Sequence, residues 1–205
     1  MSIPKPSVSD EDKSGLQLYL QTSGETVRDV AFCGPTGVKD KKLGNKFWLI
    51  CAYELARTEP EDAFNYLHLA NAFYVNGYLN EAIEVYRELE GKGATFLGYY
   101  DDPQFNIGIV QAELKHYAAA MEALAVVGTR FPKAESELAY YVATVYHAAK
   151  DFENAKRHYE KCLQRVGNSR QEKEARSKIE SLLGDVGNHI TFTGKVKSQW
   201  QEYIH

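Results

Sequence analysis

A chain of 205 residues, 44% apolar and 25% charged, is long enough to bury one sizeable core and reads as globular rather than disordered. The net charge of −4, with only short basic runs diluted by carboxylates, argues against the basic face that nucleic acid demands. No stretch approaches the roughly 18 apolar residues of a membrane span, and the start, MSIPKPSVSDEDKSG, has no apolar leader, so the expected location is cytoplasmic, without membrane insertion.

In chain order, residues 1–14 are Ser, Pro and charge and read as a disordered arm. Leu16, Tyr19, Leu20, Val27, Val30 and Ala31, broken at Ser23-Gly24, predict two short helical pieces. The loop CGPTGVKDKKLGNK superficially suggests a phosphate-binding loop. That site needs G-x-x-x-x-G-K-[S/T], and Lys39 and Lys41 occupy its second Gly and hydroxyl positions, so a connector is expected. Phe47, Trp48, Ile50, Cys51, Leu55 and Ala56 then lay a helical stripe over about Asp40 to Arg57, closed by Glu59-Pro60. This stripe reads as the unpaired second helix of a degenerate half-repeat, within an irregular N-terminal region at 15–60.

Residues 61–168 carry one pattern three times. NGYLNEAIEVYREL, LKHYAAAMEALAVV and AKDFENAKRHYEKCL each place a turn residue, then an aromatic or Leu, an Ala three positions on, and a large apolar residue four beyond. The triplets are Leu79/Ala82/Tyr86, Tyr117/Ala120/Leu124 and Phe152/Ala155/Tyr159, with the alanines 38 and 35 residues apart. Such periodicity marks a solenoid, whose units bury their apolar faces only by stacking. Residues 169–184, with Ala175, Ile179, Leu182 and Leu183 on one face, predict a capping helix. In the tail 185–205, Ile190, Phe192, Trp200 and Tyr203 are apolar anchors expected to dock.

The repeated positions resemble the tetratricopeptide repeat, W-x₂-L-G-x₂-Y…A-x₃-F…P. The first copy has Tyr66, Leu69, Ala70, Phe73, Gly77, Leu79, Ala82 and Tyr86. The second has Ile107, Gly108, Tyr117, Ala120, Leu124 and Pro132, and the third Val142, Ala143, Tyr146, Phe152, Ala155 and Tyr159. Small residues (Ala70, Gly108, Ala143 on first helices; Ala82, Ala120, Ala155 on second) let helix axes approach closely. The resemblance implies an all-α fold, a helix-turn-helix solenoid wound as a right-handed superhelix.

It also implies a groove lined by the first helices. Carried over, the partner-binding positions are Phe64, Leu67, Asn71, Tyr74, Phe105, Ile109, Glu113, Tyr140, Thr144 and His147, with Asp102, Glu113 and Glu137 as an acidic edge. The family variant that grips a C-terminal carboxylate uses groove cations. Leu67, Tyr140 and Ala148 stand there instead, so an amphipathic helix or extended segment is the expected ligand.

Catalysis is not expected. The six histidines show no metal-ligand cluster, and no nucleophile, base and orienter assemble from the pattern. Cys33, Cys51 and Cys162 have neither a disulfide framework nor zinc spacing. No cofactor or metal is implied. The expected function is a non-enzymatic protein-protein interaction scaffold or adaptor, a subunit of a larger assembly. The alternative is a cytosolic chaperone for a secreted or assembly-prone client, which the resemblance to repeat-type secretion chaperones suggests.

Overall fold

In the computed structural model the described residues are 3–164, together with Arg176, Ser177, Ile179 and Glu180. They are helical or irregular, with no strand among them. No described helix is long and apolar enough to cross a membrane. The chain divides into two compact units, one running to Thr95 and one beginning at Phe96.

The first unit holds α1 (Asp10–Ser23), α2 (Val27–Cys33), α3 (Lys41–Thr58), α4 (Ala63–Val75) and α5 (Leu79–Gly91). Its early helices are started by local chemistry. The Ser9 hydroxyl accepts from the Asp12 amide at 3.0 Å while the Asp12 carboxylate accepts from the Ser9 amide at 3.2 Å. Thr26 and Asp29 repeat this capping box at α2, and each box satisfies two amides that a helix start would otherwise strand. The disordered arm expected over 1–14 is therefore corrected: Ser9-x-x-Asp12 is a helix-start signal, and Asp10 to Ser14 are the first residues of α1.

Gly24, at φ 78°, ends α1 at the expected break. The stripe over Phe47 to Ala56 becomes α3, but not as an unpaired helix, because α3 packs against both α2 and α4. Trp48 is 4% exposed, and its indole donates to the Ala31 carbonyl at 2.8 Å, fastening α3 to α2.

The second unit holds α6 (Pro103–Glu113), α7 (Tyr117–Arg130), α8 (Glu135–Ala148) and α9 (Phe152–Gln164), with a 3₁₀ turn at Tyr99–Asp101 before α6 and another at Pro132–Ala134 before α8. The Asp102 carboxylate accepts from the Gln104 amide at 2.8 Å, and Pro103 occupies the first turn, where a missing N–H costs nothing.

The most extensive helix pairings are α4 with α5, α6 with α7 and α8 with α9. Along each seam the small residues are buried: Ala70 with Ala82, Gly108 with Ala120, and Ala143 with Ala155. Gly108 shows how tight the fit is. A methyl there would lie 3.1 Å from Leu124 Cγ and 3.3 Å from the Ala120 carbonyl oxygen.

All three pairs also turn identically. Gly77, Lys115 and Lys150 take positive φ of 82°, 64° and 63°. The next amides reach back to carbonyls five residues earlier: Tyr78 to Phe73 at 3.0 Å, His116 to Gln111 at 2.9 Å and Asp151 to Tyr146 at 2.9 Å. This left-handed termination satisfies the last carbonyls of the first helix and reverses the chain.

Beyond α9, Ile179 is helical and buried against Ala139, Ala143, Ala155, Tyr159 and Cys162. Most of the capping segment 169–184 and the tail anchors Ile190, Phe192, Trp200 and Tyr203 lie outside the described residues.

Candidate partner-binding face

The expected groove positions separate by burial. Within the first unit, Phe64 stands at the start of α4 and is 50% exposed, whereas Leu67, Asn71 and Tyr74 are buried. In the second unit, Phe105 and Ile109 are also buried, while Glu113, Tyr140, Thr144 and His147 are half-buried. The assignment of Leu67, Asn71, Tyr74, Phe105 and Ile109 to a contact surface is therefore corrected. They are buried within their units and leave little surface for a partner to touch.

The reasons are local. Asn71 is committed internally, its side-chain oxygen accepting from the Tyr86 hydroxyl at 2.6 Å. Phe105 is enclosed by aromatics, with ring centroids 5.1 Å from Tyr99, 5.5 Å from Tyr100 and 4.8 Å from Tyr141, all edge-on. Edge-to-face pairs of this kind contribute about 0.5–1.5 kcal/mol each beyond the area they bury. The extra residues between the first two helix pairs supply Tyr99 and Tyr100 to this cluster. Asp102 is likewise lost from the acidic edge: it is 4% exposed, caps α6 and meets Arg130 at 3.1 Å.

What stays on a surface lies on the α8/α9 pair. Tyr140, Thr144 and His147 follow the i, i+4, i+7 spacing of one helix face. The His147 ring lies 5.6 Å from Phe152, at the start of α9, and 6.3 Å from Tyr159, while Tyr140 lies 6.2 Å from Tyr159. Tyr159 thus floors a patch whose walls are Tyr140, His147 and Phe152.

Phe152 is 43% exposed. Sequence pattern counted it as repeat packing, although the equivalent Leu79 and Tyr117 are also only half-buried. Burial pushes the Tyr140 phenol above its ordinary pKa, so at neutral pH it presents an uncharged hydroxyl. The patch offers aromatic area and hydrogen-bonding edges.

Among the described residues, no group of three or more His, Cys, Asp or Glu could hold a metal ion. Cys51 and Cys162 are buried and Cys33 is exposed, all as free thiols.

This helix-pair geometry defines the class. The tetratricopeptide-repeat family model matches residues 104–134 and 137–169, so the α6/α7 and α8/α9 segments are two such repeats. The α4/α5 pair lies outside the match yet shares its turn and seam. Among solved structures, the MamA RS-1 ArsTM double mutant superposes with a TM-score of 0.52 at 15% identity, covering 96% of this chain and 99% of that one. A crystal structure of MamA gives 0.50 at 15% identity over 82% and 95%. A chain of the CopN-Scc3 complex gives 0.50 at 14% over 83% and 98%. At such identities the likeness speaks for the fold alone. No curated protein matches the sequence.

Proposed function

We propose that this protein is a non-enzymatic scaffold or adaptor that holds a protein partner, an amphipathic helix or extended segment, against the exposed face of its repeats. The observation carrying this reading is the patch of Tyr140, His147 and Phe152 over buried Tyr159 on the α8/α9 pair. Partly exposed aromatics grouped around one buried ring suit an apolar anchor entering from a partner. Thr144, Glu113 and, on the first unit, Phe64 are the remaining carried-over positions with surface to offer. The repeat family supports protein binding in general.

A cytosolic chaperone for a secreted or assembly-prone client is the second reading, compatible with the same helix-pair fold. The two differ in lifetime. A scaffold keeps its partners in fixed stoichiometry, whereas a chaperone holds one client and releases it.

The test is affinity capture with wild type and a His147→Ala, Phe152→Ser variant whose helix content is verified by circular dichroism. Loss of a specific protein from the folded variant supports the patch as the binding face. Retention of the whole set excludes it. Phe105→Glu does not serve here, because a charge in the closed aromatic cluster would unfold the unit.

A further inference from the structure

The N-terminal segment before α1 lies on the first unit as a non-helical strap. Pro6 is buried and Ser7 exposed. The Tyr78 hydroxyl donates to the Ser7 carbonyl at 3.1 Å. Where the strap enters α1, the Lys46 ammonium donates to both Asp12 oxygens at 2.9 and 3.1 Å. Asp12 and Lys46 hold each other charged, the carboxyl below its usual pKa and the ammonium above.

The strap does not fill its seat. An open pocket of about 290 Å³ lies beside it, lined by Ser7 and Val8 of the strap, Lys42, Lys46 and Leu49 of α3, and Tyr78 after α4, among others. The strap is held at its two ends, by buried Pro6 with the Ser7 carbonyl bond and by the Asp12–Lys46 ion pair, with open space beside Ser7 and Val8 between them.

From this we infer that the cleft between α3 and the α4–α5 turn is a peptide-docking seat, occupied in cis by the chain's own N-terminal strap and open in trans to a segment of like chemistry: non-helical, bearing proline, and followed by a carboxylate. This surface is separate from the α8/α9 patch. Tyr78 reads a peptide carbonyl whatever the side chain, and Lys46, with Lys42 beside it in the lining, reads the acid. The unfilled volume accepts an apolar side chain larger than Val8. The tethered strap competes at the millimolar effective concentration of a short linker, so a trans ligand gains access as the strap's two end contacts weaken.

The experiment uses full-length protein and a labelled synthetic peptide of residues 1–13. Fluorescence anisotropy compares wild type, a strap-released Pro6→Gly, Asp12→Ala variant, and the same variant with Lys46→Glu. The released chain should bind at least tenfold more tightly than wild type, and Lys46→Glu should abolish the gain. Equal affinity for wild type and released chain overturns the inference.

Should the released chain lose its helix content, wild type is photolysed with millimolar peptide carrying a photoreactive phenylalanine at position 8. Crosslinks at residues 42–49 or 75–78 uphold the seat. Their absence, or scatter over the surface, overturns it.

Discussion

The Tyr86 hydroxyl and the Asn71 side-chain oxygen meet at 2.6 Å inside the α4/α5 pair, where Tyr86 is 1% exposed and Asn71 is 7% exposed. The bond joins the inner face of one helix to the next, and burial pushes the phenol pKa up, so the hydroxyl stays a donor. Tyr86→Phe leaves the amide oxygen without that donor, at a cost of about 1–3 kcal/mol. Urea unfolding should show a lower midpoint with an unchanged slope. An unchanged midpoint would show that water replaces the hydroxyl at no cost.

The seam at Gly108 predicts an overpacking penalty. A methyl 3.1 Å from Leu124 forces that side chain or the helix pair to shift, and Gly108→Ala should destabilise by about 1–3 kcal/mol despite alanine's better helix propensity. Combining it with Leu124→Val should cost less than the sum of the two single changes, because the smaller side chain makes room. Additivity in a double-mutant cycle would refute direct contact as the cause.

The turns at Lys115 and Lys150 predict the opposite sign. Both hold positive φ with a Cβ present, which strains an L-residue where glycine is at ease. Lys115→Gly and Lys150→Gly should each raise stability by about 0.5–1 kcal/mol, read as a higher thermal midpoint.

These positions also separate what sequence revealed from what it hid. The seam residues Ala82, Ala120 and Ala155 were legible because close helix approach leaves no room for larger side chains, and that constraint recurs with the repeat. The turns at Lys115 and Lys150 were not, since glycine marks the conformation only at Gly77. The groove was legible in register but not in exposure. Phe105 and Tyr140 are 35 residues apart and equivalent, yet Phe105 is sealed by Tyr99, Tyr100 and Tyr141, two of which come from an insertion outside the repeat. The short N-terminal helices were readable from Ser9-x-x-Asp12 and Thr26-x-x-Asp29, signals masked by the Pro and charge around them.

Stability should also depend on pH through His68. Its ring lies 4.5 Å from Phe32, and burial lowers its pKa against the opposing pull of Asp62. The unfolded chain therefore binds a proton more readily than the folded one. Stability from His68 is full above the unfolded value of about 6.5 and is lost as pH falls through the folded value. The slope from this one group cannot exceed about 1.4 kcal/mol per pH unit. His68→Leu should flatten the profile between about pH 7 and 5.

The thiols should separate by reactivity. Burial pushes the Cys51 pKa to about 12 and raises that of Cys162, suppressing the thiolate that alkylating reagents need. Cys33 is exposed. Iodoacetamide at pH 8 should modify Cys33 first, with Cys51 reacting only on denaturation, as followed by peptide mass spectrometry.

The strap's grip also sets which substitutions it tolerates. Tyr78 holds position 7 through a carbonyl that every amino acid possesses, so most replacements of Ser7 should leave the strap seated. Pro6, whose ring is enclosed, and Asp12, whose charge both caps α1 and holds Lys46, have no such latitude. A segment only a few residues long thus combines freely exchangeable letters with two that must be kept, and an unrelated protein needs to match only those few features to present the same face to the seat.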